Sequence, residues 1–85
     1  MFDVEYSNQS LKFLKKSDKT LILRLLKKIE ELRGKSITSD TKVLEGYKEK
    51  LFRVRVGDFR ILYEIDYPNN KIGIVKIDKR SKVYD

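Results

Sequence analysis

LFRVRVGDFRILYEI, residues 51–65, is the stretch that decides the fold. Two runs of β-branched and aromatic residues flank Gly57-Asp58, a dipeptide suited to a two-residue type II′ turn. Such a turn sets Val56 opposite Phe59, Arg55 opposite Arg60, Val54 opposite Ile61 and Phe52 opposite Tyr63. Strand alternation then sorts the hairpin by chemistry: Phe52, Val54, Val56, Phe59, Ile61 and Tyr63 share one face, and Arg53, Arg55 and Arg60 are driven onto the other. Guanidinium groups directly opposite one another start from β-carbons about 5 Å apart, which destabilises a sheet unless an anion lies between them. The arginine face is therefore expected to be a phosphate-binding concavity, because guanidinium forks match phosphate oxygens and keep their charge at any working pH. The alternative is a solvated sheet face, balanced by Glu64 and Asp78.

Working outward toward the N-terminus, residues 2–6 alternate apolar and acidic side chains and predict a half-buried strand. Ser7 is a candidate cap for a short basic helix carrying Leu11, Phe13 and Leu14. Ser17 and Asp18 restart the helical pattern, and Ile22, Leu25, Leu26, Ile29 and Leu32 form the apolar stripe of a second helix that stops near Gly34. Arg24, Lys27 and Lys28 lie away from that stripe, with Glu31 placed four residues after Lys27. A polar loop, residues 35–41, leads to a short extended piece around Val43 and Leu44.

On the C-terminal side, Pro68-Asn69-Asn70 marks a turn and residues 71–78 a further strand. A three-residue turn there pairs Arg60 with Asp78 and Ile61 with Ile77, and carries Arg80 toward the arginine face. The expected architecture is α+β, in the order β-α-α-β-β-β. An antiparallel sheet carries a two-helix hairpin packed on one face, in a single domain over residues 1–85.

Lysine and arginine number 20 against 13 acidic residues, so the net charge is +7 and nucleic acid is the first candidate partner. Lys27, Lys28, Lys76 and Lys79 join Arg55 as candidate RNA contacts. Cysteine and histidine are both absent, which removes disulfides, thiolate nucleophiles and imidazole acid/base pairs, and no metal or cofactor is expected. The first residues form neither a signal peptide nor a membrane span, so a cytoplasmic protein is expected. Tyr84 lies four residues past Arg80 in a polar tail; it either stacks on a base or tucks the tail against the sheet. Tyr47, Tyr63 and Tyr67 read as packing residues.

The stretch 51–65, together with Lys79-Arg-Ser-Lys-Val-Tyr84, the opening strand, the basic helix pair and Leu44-Glu45-Gly46, resembles the RelE-type toxins of toxin–antitoxin modules. The likeness spans nearly the whole chain and rests on a spaced combination rather than one motif. It implies a microbial-RNase-like fold and a ribosome-dependent endoribonuclease that cleaves mRNA in the A site through attack of the RNA 2′-hydroxyl on its own phosphate. The family's site positions fall here on Arg53, Arg55, Arg60, Arg80 and Tyr84. By the same resemblance, Arg53, Arg60, Arg80 and Tyr84 are the catalytic candidates. Several relatives carry lysine where this chain has Arg53 and Arg55, and an arginine cannot readily lose a proton. The implied partners are an acidic RelB-like antitoxin, in a toxin–antitoxin heterotetramer, together with the ribosome and its mRNA. A ParE-like inhibitor of DNA gyrase and a non-catalytic RNA-binding module are the competing expectations.

Overall fold

The computed structural model describes residues 1–44, 46 and 50–79. Its elements are β1 (Asp3–Tyr6), α1 (Asn8–Lys16), α2 (Lys19–Gly34), β2 (Lys42–Leu44), β3 (Leu51–Val56), β4 (Phe59–Asp66) and β5 (Lys71–Lys79). The strands form one sheet in the order β1-β5-β4-β3-β2. The fold is α+β with both helices on one side of a mostly antiparallel sheet, and the piece around Val43 and Leu44 supplies a fifth strand. Chain reversal through α1 and α2 brings β1 back parallel to β5, with Asp3 opposite Lys71 and Tyr6 opposite Ile74. No helix among the described residues is long and apolar enough to cross a membrane.

The central hairpin has the pairing expected from its turn: Phe52 with Tyr63, Val54 with Ile61, Arg55 with Arg60 and Val56 with Phe59. Gly57 sits at φ +59° while Asp58 stays at negative φ, the combination a type II′ turn requires. A side chain at Gly57 would also collide with the Arg24 guanidinium, which lies across the turn.

Both helices begin on the caps legible in the sequence. The Ser7 side chain accepts from the Ser10 N–H at 3.1 Å, and the Asp18 carboxylate from the Leu21 N–H at 2.8 Å. Leu25, Ile29 and Leu32 of α2 are fully buried against Val54, Ile61, Tyr63, Ile72, Ile74 and Ile77 of the sheet. Two details of the stripe differ from expectation. Leu26 is exposed while Leu21 packs against the core, and Glu31 pairs with Lys28 at 3.1 Å rather than with Lys27.

The turn after β4 spans four residues, Tyr67–Asn70, closed by Asp66 opposite Lys71. The Asp66 carboxylate accepts from Asn69, and Asn70 takes the left-handed conformation at φ +54°. Arg60 nonetheless faces Asp78 and Ile61 faces Ile77, because the register shifts between Leu62 and Tyr63 where Val75 is the extra residue on β5. The apolar spacing demands this bulge. Ile72 and Ile74 are two apart and Ile77 is three further on, yet all three are buried on the helix face. The start of α1 secures the irregular edge: Ser7 Oγ donates to the Val75 carbonyl at 2.7 Å, and the Gln9 amide bonds both the N–H and the C=O of Ile77.

Candidate nucleic-acid interface

On the sheet face away from the helices, register and alternation set the side chains out in rows. Arg55, Arg60 and Asp78 are consecutive cross-strand partners on β3, β4 and β5; the next row holds Lys42, Arg53, Leu62 and Lys76. Arg53, Arg55 and Arg60 therefore come together with Lys76 on one face. They do not stand out in solvent: Arg53 is 2 % exposed, Arg60 is 1 % exposed and Arg55 is half-buried. Leu51 and Leu62 are buried on the same face and form an apolar floor between the charges. Arg60 Nε donates to Asp78 Oδ1 at 3.2 Å, and Lys76 Nζ lies 3.5 Å from Asp78 Oδ2. The Glu64 side chain lies over Gly73, where an added β-carbon would meet its carboxylate at 3.2 Å.

The remaining sequence candidates are placed elsewhere. Lys79 is in register with Phe59 and follows Ile77 onto the helix face, so it leaves the arginine row. Lys27 and Lys28 belong to α2 and reach the arginines only around the edge of β3, where β2 has ended. There a groove of about 270 Å³ is lined by Arg24, Lys27, Lys28, Glu31, Arg55 and Val56. Lys28 is held in it by Glu31 and by Asp40, at 3.1 and 3.3 Å. Burial disfavours the Lys28 charge, but those carboxylates outweigh it and raise the ammonium above its ordinary pKa. The carboxyl of Asp40 is correspondingly lowered, first by the hydrogen bond from Thr38 and then by Lys28, against the cost of burial. Arg80 and Tyr84 lie outside the described residues.

Two contributors were not singled out in the sequence: Lys42 faces Arg53 because β2 pairs with β3, and Arg24 lies over the hairpin turn. Asp78, expected opposite Arg60 as an acid on this face, is there and is its ion-pair partner. Chemically, the face gathers several fixed guanidinium groups of the kind that bind phosphate, Arg55 keeping exposed surface and Arg53 and Arg60 almost none. Among the described residues, no three of His, Cys, Asp and Glu come together in a way that would hold a metal ion.

Comparison with known proteins gives this geometry a family. Residues 4–84 match the family model of the ParE toxin of type II toxin–antitoxin systems. A protein of Methanocaldococcus jannaschii that bears the toxin name RelE1 is 33 % identical over 86 residues, covering 98 % of this chain and 94 % of its own. The RelE–RelB complex of Pyrococcus horikoshii contains a chain that superposes with a TM-score of 0.82 at 27 % identity, covering 96 % of this chain and 98 % of that one. Isolated RelE of E. coli shares the fold at a TM-score of 0.79 and 17 % identity, over 93 % of this chain and 84 % of its own. The chain belongs to the ParE toxin family of type II toxin–antitoxin systems, within the RelE/ParE superfamily.

Proposed function

We propose that this toxin is a ribosome-dependent endoribonuclease that cleaves mRNA in the A site and so stops translation. The observation that carries the reading is the gathering of Arg53, Arg55 and Arg60 on one sheet face around an apolar floor. Like charges in adjacent cross-strand positions weaken a sheet, and a polyanion bound across them adds to whatever acidic partners the fold supplies, such as Asp78 beside Arg60. Cleavage begins when the RNA 2′-hydroxyl gives up its proton and attacks the adjacent phosphorus. The 5′-oxygen then leaves with a proton, and a 2′,3′-cyclic phosphate remains. Such a reaction needs an acid, a base and stabilisation of the added charge on phosphorus.

Arg60 and Arg80 clamp the phosphate and support the leaving oxygen, while Arg55 holds the RNA backbone. Arginine keeps its proton, so the part of Arg53 is electrostatic, and Tyr84 or a ribosomal group accepts the 2′-hydroxyl proton. Lys76 extends the basic face for RNA, and Lys27 and Lys28 do so across the edge of β3. Relatives from Pyrococcus horikoshii and Methanococcus jannaschii are seen in RelE–RelB complexes, which supports a RelB-like antitoxin for this chain too. The net charge of +7 makes that partner acidic, and a heterotetramer is the proposed assembly. A toxin that cleaves mRNA on translating ribosomes would act in the cytoplasm.

Mapping of mRNA ends after incubation with programmed ribosomes tests the reading: cuts within the A-site codon are expected, and intact message under conditions that retain ribosome binding contradicts it. A second reading, inhibition of DNA gyrase, is favoured by the ParE identity of the matched family model. A supercoiling assay separates the two, since the nuclease leaves gyrase turnover unchanged.

A further inference from the structure

The arginine row ends in a carboxylate. We propose that Asp78 is a positioning residue that fixes the Arg60 guanidinium for its phosphate contact and offsets its charge while no nucleic acid is bound. The role rests on the reading of this face as an RNA site.

Three observations carry it. Arg55, Arg60 and Asp78 are successive partners across three strands, so the acid stands where a third cation would have made the row untenable. The Arg60–Asp78 pair is withdrawn from water, with side chains 1 % and 13 % exposed and Nε 3.2 Å from Oδ1. A buried pair of this kind holds each partner in place, because breaking it leaves a buried charge without the carboxylate it was packed against. Finally, Oδ2 is buried and accepts no hydrogen bond among the described residues; its near neighbour is Lys76 Nζ at 3.5 Å. Asp78 acts through Arg60, whose Nε it holds. A carboxylate at Nε also sets the plane in which the guanidinium meets an arriving phosphate.

The test uses the full chain, a uniform single-stranded RNA (oligouridylate) and programmed ribosomes. Asp78→Asn keeps the shape and removes the charge. Released from its carboxylate, Arg60 then counts as a full phosphate contact, and the slope of log affinity against log salt steepens by about 0.7. That increment disappears when Arg60→Gln is added, and Asp3→Asn, an equal charge change on β1, does not produce it. On ribosomes, Asp78→Asn lowers kcat about tenfold without raising KM. Asp78→Glu restores the wild-type salt slope but not kcat, because the carboxylate is displaced by one methylene.

An unchanged slope in Asp78→Asn, or an increment that persists with Arg60→Gln, overturns the proposal. Should Asp78→Asn fail to fold, Asp78→Glu decides, and wild-type kcat in that variant overturns it as well. Wild-type protein that leaves ribosome-bound mRNA intact removes the nuclease reading, whereas the salt slopes still decide the role of Asp78 toward Arg60.

Discussion

Tyr63 shows how a single side chain joins the sheet to the helical layer. In the sequence it is one more aromatic in a strand; in the fold it is fully buried, stacked on Phe52 with ring centroids 5.5 Å apart. Its hydroxyl donates to the Ser36 carbonyl at 2.7 Å, which leaves it to accept from Thr41 Oγ1 at 3.1 Å, and the two bonds tie down the connection between α2 and β2. Tyr63→Phe leaves Ser36 without its donor and is expected to cost about 1–2 kcal/mol, read from urea denaturation. Burial pushes the phenol above its ordinary value of 10.0, with Thr41 opposing and Asp40 reinforcing the shift. The native state therefore holds this proton more tightly than the unfolded chain. That contribution is complete below about pH 10 and is lost as pH rises through the folded pKa. Stability of the wild type should fall more steeply above pH 10 than that of Tyr63→Phe. The orientation of Arg53, Arg55 and Arg60 was legible at this scale because turn and alternation leave one solution. The hydrogen bonds of Tyr63 were not, since nothing local to a strand shows which loop crosses its far side.

At the scale of elements, the bulge at Val75 and the cap at Ser7 are one device. Ser7 Oγ both accepts from the Ser10 N–H and donates to the Val75 carbonyl, so Ser7→Ala removes a helix cap and a bulge anchor together. A loss of about 1–2 kcal/mol is expected, seen as a Tm lower by roughly 4–8 °C per kcal/mol. Gly57→Ala should cost at least about 1 kcal/mol, because φ +59° is unfavourable for a residue with a β-carbon and the Arg24 guanidinium must move aside. The same change opens the groove where Arg24 lies beside Arg55, so RNA affinity should fall with it.

The central hairpin was readable because each level agreed: propensity, turn dipeptide and face. β5 was readable only in part. Its register at Arg60 follows from a three-residue turn on paper, but from a four-residue turn corrected by a bulge in the molecule. The spacing of Ile72, Ile74 and Ile77 held that information. The parallel pairing of β1 with β5 is set by how two helices return the chain, which no local pattern encodes.

Taken whole, the molecule carries +7, with basic side chains on both sides of the β3 edge. Association with ribosomes should weaken steeply between 50 and 200 mM salt, as expected when several phosphates are neutralised at once. Sedimentation of toxin with ribosomes across that range checks this, and salt-independent binding would contradict it. Copurification should likewise yield an acidic antitoxin whose complex loosens in high salt.

The most direct test of the proposed cleavage is a single-turnover assay of mRNA on programmed ribosomes with wild type, Arg60→Ala and Arg80→Ala, with folding and ribosome binding verified for each. The account predicts A-site cleavage by the wild type and a fall of about 100-fold or more in each variant. Equal cleavage by folded, ribosome-bound Arg60→Ala would contradict it.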